Sequence, residues 1–408
     1  MNNGKLIIDN RRSFVFLTLC ALWLVFSATA FGQLAIKGET IWTMDGEAIK
    51  NGVVLVSGGK IEAVGTAAAI KIPANYRVIS AKVVTPGLID AHTVIGLNGY
   101  LNQPHDQMAI EGSSPIQPEL RAIDSYNAGE TLIAWVRSFG VTTIHTGHQP
   151  SALVSGQTMI AKTWGKEVDD AVIVPEAMIA VTLGSDANAG QGKSPGTRAK
   201  QVALLRAELI KAQENAKKTD APKDLRSVAF VSVIKREVPL LITANKAQDI
   251  ITALRIAKEF NLRIVLDGAA EAQLVLDDIK ASGFPVIVHA TMARAGGDTE
   301  SLSMEDAAKL KAAGISVALQ SGYEGYVPKT RVVLFEAAMA AQNGLTPHDA
   351  LALITIDAAK LLGIDARVGS ITKGKDADLA LYDGDPFEWT SHCTGTIING
   401  NLVNEGIR

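Results

Sequence analysis

The strongest constraint on this chain's fold is an alternation of short apolar runs with amphipathic stretches, sustained from about residue 85 to residue 365. Buried-type runs fall at residues 83–89, 141–144, 177–183, 240–244, 264–266, 285–288 and 316–319, and an eighth is expected at 159–163. Helical segments separate most of them. In one, Val202, Leu205, Leu209 and Ala212 fall on a single face. Another opens with Thr346-Pro347-His348-Asp349, a capping threonine followed by proline at the first helical position. Gly140, Gly283 and Gly314 stand just before the next strands, where a helix ends in a left-handed residue. Strands joined through helices pair in parallel. Eight of them predict an α/β protein closed as a TIM-type (β/α)8 barrel over residues 85–365.

Both chain ends have a different texture. Residues 36–65 carry β-branched runs punctuated by Asp45-Gly46, Asn51-Gly52 and Gly58-Gly59, the last reading as a two-residue hairpin turn. Residues 377–381 and 396–403 alternate in the same way, and the second pair turns at Asn399-Gly400. Residues 31–84 and 366–408 are therefore expected to build one small composite β-sandwich domain. Between the helices, residues 185–195 are rich in Gly, Ala, Asn and Ser and read as a loop at the strand-end face.

Residues 1–30 read as a cleavable signal peptide. Lys5, Arg11 and Arg12 precede an apolar run from 14 to 26, and Ala28-Thr29-Ala30 supplies the small-residue cleavage site. The run is shorter than the ~20 residues of a spanning helix. The expected location is the periplasm or the extracellular space, and Arg11-Arg12 fits a twin-arginine route. The whole chain carries −3, and loss of Lys5, Arg11, Arg12 and Asp9 leaves about −5. Lys and Arg are scattered, so no nucleic-acid surface is expected. With Cys20 in the leader, Cys393 remains alone and no internal disulfide forms. The mature chain must be held by its core.

Thr85-Pro86-Gly87-Leu88-Ile89-Asp90-Ala91-His92 resembles the first barrel strand of the amidohydrolase superfamily, in particular its imidazolonepropionase-like and prolidase-like exported members. The segment from Val368-Gly369-Ser370 through Lys373-Gly374-Lys375-Asp376-Ala377-Asp378-Leu379 resembles that family's return from barrel to β domain, and Asp383-Gly384-Asp385-Pro386 fits the same pattern. The resemblance covers essentially all of the mature chain. It implies a barrel with a composite β-sandwich, a divalent metal such as zinc, and hydrolysis of non-peptide C–N bonds. It also implies a His-x-His pair on the first strand, histidines ending the fifth and sixth strands, and an aspartate ending the eighth.

Here the first strand reads His92-Thr93-Val94, and valine has no lone pair to offer a metal. Asn245 stands where a histidine is expected, Gly268 at or beside the next ligand position, and Ser321 in place of the aspartate. A relocated site would draw on His92, His289, His148 and Asp267, with His145 nearby. Asn245 and Ser321 then fall to substrate binding. Strand-end histidines also serve simply as hydrogen-bond donors to loops. His105, His348 and His392 read as exposed or structural, and Lys162 and Lys235 as surface lysines whose stems snorkel. Asp267 and Glu271 read as acids opening a helix.

Two functions follow. One is a hydrolase of C–N bonds with a reduced or relocated metal site, acting on a small molecule. The other is a non-catalytic relative that binds a small molecule or assembles, as a homo-oligomer or with a metal-competent homologue.

Overall fold

A computed structural model describes residues 33–190, 192–220, 223–323 and 332–404. The leader read from the sequence lies outside them. Four strands open the described chain: β1 (Leu34–Ile41), β2 (Ile49–Ser57), β3 (Lys60–Thr66) and β4 (Arg77–Pro86). The middle of the chain contributes β5 (Leu88–Thr93), β6 (Val141–Thr146), β7 (Val154–Gln157), β8 (Met159–Lys162), β9 (Val172–Val174) and β10 (Ile179–Thr182). It continues with β11 (Leu240–Ala244), β12 (Ile264–Gly268), β13 (Val286–Val288) and β14 (Val317–Leu319), before β15 (Leu379–Tyr382), β16 (Cys393–Ile398) and β17 (Asn401–Asn404) close the chain.

The two ends form one sheet of seven strands, in the order β17-β16-β15-β4-β1-β2-β3. β2 and β3 turn through Gly58 and Gly59, both at positive φ, which the tight turn between right-twisted strands requires. β1 runs parallel to β4, while β15 pairs antiparallel with β4 through Leu379↔Pro86 and Tyr382↔Val83. Ile36, Val54, Val56, Val84, Leu379, Leu381 and Ile397 bury one face of this sheet.

The middle of the chain is mixed α/β. A six-stranded sheet has the order β14-β13-β12-β11-β10-β7, parallel from β10 through β14. A four-stranded sheet has the order β5-β6-β8-β9. Thr93 of β5 bridges Gly322, just beyond β14, in the parallel sense. On the other side, just before β8 and β10, the Thr158 N–H donates to Met178 O and the Ala177 N–H donates to Thr158 O. Among the described residues no continuous eight-stranded ladder closes.

The eighth strand expected at 159–163 is present as β8, but it runs antiparallel to β6, through Thr143↔Lys162 and Thr146↔Met159. Its cause is local: residues 147–158 contain no helix, and a parallel return needs a crossover of a dozen or more residues. The chain turns back and pairs antiparallel.

Period-2 geometry sets the core. Leu241, Val265, Ile287 and Ala318 share one face of the parallel strands and pack with Ile89, Ala91, Ala358 and Ala359. Outside, the helix Arg198–Ala216 buries Leu205, Leu209 and Ala212, as the sequence indicated, and Thr197 caps it by accepting from the N–H of Lys200. The helix Pro347–Ala352 begins as read, with Thr346 accepting from the N–H of Asp349. The 185–195 loop is anchored at its base, where the Gln201 amide donates to Gly184 O and to Asn188 Oδ1.

Lys162 corrects its sequence reading. It is 2 % exposed and lies between Asp376, at 3.3 Å, and Asp378. Because β8 is antiparallel, its last residue points back to the seven-stranded sheet, and the ammonium is buried against the returning chain. Lys60 and Arg367 complete the cluster on Asp376. Burial alone would raise the Asp376 pKa, but Lys162, Lys60 and Arg367 outweigh it and hold the carboxyl below its usual value.

Candidate functional site

Asp267 is the centre of the site. It is fully buried near the end of β12, and the register Thr243↔Asp267 places Thr243 of β11 beside it. Thr243 Oγ1 donates to Oδ2 at 2.6 Å. Gln320, immediately after β14, donates from Nε2 to Oδ1 at 2.9 Å. His92 Nδ1 meets the same Oδ1 at 2.9 Å. Burial pushes the Asp267 pKa up, but the His92 charge interaction and the hydrogen bonds from His92, Thr243 and Gln320 outweigh it, and the carboxyl titrates below its usual range.

An ionised carboxylate only accepts hydrogen bonds, so it fixes the proton of a neutral His92 ring on Nδ1. Nε2 is then left with a free lone pair. It has no hydrogen-bond partner among the described residues, although His92 is 1 % exposed. His92 stands where β5 slips register against β6, between Asp90 and Thr93. Its ring also lies 5.9 Å from that of His145 and 5.6 Å from that of Tyr323.

His145 is committed elsewhere. Nδ1 contacts the Ala91 carbonyl at 2.7 Å and Nε2 contacts the Thr158 hydroxyl at 2.7 Å. Burial first, then the neighbouring His92, depress its pKa to about 3, so the ring is neutral. His289 lies 3.2 Å from Asp306 through Nε2 and 3.0 Å from the Ala290 carbonyl through Nδ1, and it does not join His92. His148 is buried with Nδ1 unpartnered among the described residues, and burial lowers its pKa. Of the four ligand candidates, the structure pairs only His92 and Asp267.

Asn245 follows β11, and its Oδ1 has no hydrogen-bond partner among the described residues. It presses against Gly268, where a Cβ would come within 2.5 Å of that oxygen. Ser321 turns away to Asp90, to which it donates from its backbone N–H at 3.0 Å and from its hydroxyl. Glu271 accepts from the N–H of Ala247 at 2.8 Å, so it caps the start of the helix Ala247–Phe260. Asp267 opens no helix. His105, His348 and His392 are exposed, and His348 stacks near Trp42 at 5.8 Å.

Sequence reading missed Gln320 and Thr243. Thr243 had a usable signal, since it stands two residues before Asn245 on the same face of the strand. Gln320 had none, because a glutamine at a strand end carries no chemical signature.

The donor set does not fit a divalent metal. Among the described residues no three His, Cys, Asp or Glu side chains are grouped to hold one. Both oxygens of Asp267 are occupied by hydrogen-bond donors, and Val94 lies in the apolar core.

Comparison with known proteins agrees with this architecture. The Amidohydrolase family profile matches residues 301–403. An imidazolonepropionase of Fusobacterium nucleatum is 23 % identical over 91 % of this chain and 97 % of its own length. An imidazolonepropionase of Shewanella frigidimarina is 64 % identical over 39 residues, 10 % of each chain. An amidohydrolase from Thermotoga maritima of solved structure superposes with a TM-score of 0.86 at 27 % identity, over 91 % of this chain and 100 % of that one. A zinc-bound adenosine deaminase from Xanthomonas campestris shares the fold, with a TM-score of 0.56 at 16 % identity over 92 % and 94 % of the two chains. In sequence and in fold the chain is similar to the amidohydrolase superfamily.

Proposed function

We propose that this protein is an exported hydrolase of a non-peptide carbon–nitrogen bond in a small molecule. In this reading its parallel strands close as a TIM-type barrel around the site, His92 is the general base and Asp267 orients it. One observation carries the proposal: a buried histidine is held by a carboxylate through Nδ1 while its Nε2 is unpartnered among the described residues. That is the arrangement of an oriented base.

The step balances without a metal. A water donates its proton to His92 Nε2 as its oxygen attacks the electrophilic carbon. The tetrahedral adduct collapses, the C–N bond breaks, and the imidazolium returns the proton to the departing nitrogen. Asp267 stays ionised throughout and stabilises the imidazolium by charge.

The test is hydrolysis by the purified mature chain, stripped of metal, across linear amides, cyclic amides and amidines. Turnover is expected for at least one class, with His92→Asn lowering kcat by about 10²–10⁴-fold. Full activity in His92→Asn, or no turnover across all three classes, would overturn the assignment. Zinc-dependent turnover lost on chelation would instead restore a metal mechanism.

A further inference from the structure

We propose that the helix Arg198–Ala216 is a self-association surface, on which a second copy of this chain docks its own Arg198–Ala216 helix antiparallel.

The helix has 19 residues and buries Gln201, Leu205, Leu209 and Ala212 along one side. On the opposite side Lys200, Ala203, Ala207, Ile210 and Glu214 are all exposed. They follow one another in alternating steps of three and four residues, the spacing of a seam along which two helices pack knobs into holes. The solvent face of a helix is ordinarily polar along its length. Here the three central positions are apolar, and Ile210 is 45 % exposed. The helix Leu225–Ile234 packs beside this one and leaves Leu225 72 % and Val228 53 % exposed, so the apolar surface of the pair is more than a stripe of alanines.

Charge selects the occupant and its direction. Among the described residues the ion pairs of this helix are made by Arg198, Arg206 and Glu208, with Asp249, Asp298, Glu259 and Arg226. Lys200 and Glu214, at the two ends of the seam, make none among them. They stand seven residues before and seven after Ala207. A second copy laid antiparallel about Ala207 therefore brings Lys200 against the partner's Glu214, and Glu214 against the partner's Lys200. A parallel copy would set lysine on lysine and glutamate on glutamate.

Packing agrees with this register. Ala207 meets the partner's Ala207 on the two-fold axis, where two methyl groups let the helix axes approach to about 8 Å. Ile210 falls beside the partner's Ala203, a large side chain over a small one. Lys211, exposed on the same side, passes its stem over that alanine and keeps its ammonium in water. The contact is narrow, so the dimer is weak, with an expected Kd of about 1–100 μM.

Sedimentation equilibrium on the purified mature chain, across about 1–200 μM, tests this. A monomer–dimer equilibrium is expected. Lys200→Glu and Glu214→Lys each turn two attractive contacts into two repulsive ones, and each should weaken the dimer at least about fivefold. Mixed in equal amounts, the two variants should form a heterodimer as strong as the wild-type dimer, because both ends match again. Ala207→Glu, on the axis, should leave a monomer throughout. All three positions are exposed, so the variants are expected to fold, and their melting temperatures check it. A wild-type chain that stays monomeric over the whole range, or wild-type dimerisation in Ala207→Glu, would overturn the proposal. So would two weakened charge variants that do not recover on mixing.

Discussion

Ser321 donates its backbone N–H at 3.0 Å, and also its hydroxyl, to the carboxyl of Asp90, tying the segment after β14 to β5 beside the Thr93–Gly322 bridge. Asp90 is buried among these strands, and burial raises its pKa to about 7 against the opposing effect of the Ser321 hydrogen bonds.

A pH dependence of stability follows. The folded state holds the Asp90 proton more tightly than the unfolded chain, so the stabilisation is full below pH 3.8 and is lost as pH rises towards 7. Relative to wild type, Asp90→Asn should gain about 1.4 kcal/mol of stability per pH unit across that window and change little above it. Urea denaturation of both proteins at pH 5, 6 and 8 checks this, and parallel profiles would refute it.

His145 has the opposite sign. Its folded pKa, about 3, lies below the ordinary 6.5, so the unfolded chain binds the extra proton. Stability from the neutral ring is complete above pH 6.5 and is lost as pH falls, by about 1.4 kcal/mol per unit. The advantage of wild type over His145→Gln should therefore shrink between pH 6.5 and pH 4.5 in the same denaturation series. An advantage that widens on acidification would contradict the buried, neutral ring.

Lys162 joins the two parts of the molecule through Asp376 and Asp378, both buried. Removing the cation alone strands two carboxylates in the interior, and Lys162→Met should cost about 3–5 kcal/mol. Adding Asp376→Asn and Asp378→Asn should recover part of the loss, because the uncompensated charge goes with them. Chemical denaturation of the single and triple variants distinguishes this from a simple packing defect, for which no recovery is expected.

Gly140, two residues past the Ser138 C-cap of the helix Thr131–Arg137, has φ +92°, and a Cβ there would come within 2.6 Å of both the Ala380 Cβ and the Tyr382 hydroxyl. Gly140→Ala combines left-handed strain with overpacking between β6 and the seven-stranded sheet, for a loss of about 2–5 kcal/mol. Gly283, at φ +71° with open space around it, supplies the contrast. Gly283→Ala should lose only about 1–2 kcal/mol. Equal melting-temperature losses in the two variants would rule out the clash.

Sequence alone determined what depends on near neighbours. Alternation placed β6, β8 and β10 to β14 but not β7 or β9, and its run at 83–89 spans the junction of β4 and β5; turn glycines placed the hairpins at 58–59 and 399–400, and Thr346 and Pro347 placed a helix start. Period-2 spacing also marked which residues of β11 and β12 share a face. The direction of β8 was lost because it depends on a missing crossover helix, which a single strand's own composition does not report. Tertiary structure alone decided the site. Asp267 takes its donors from residues 24, 53 and 175 positions away, and which strand-end side chains reach it depends on how the strands are brought together, as the register Thr243↔Asp267 shows. The same applies to Lys162, whose burial follows from where the returning chain lies. Side-chain chemistry can be read one residue at a time, whereas a buried charge is defined by partners that only the folded chain brings together.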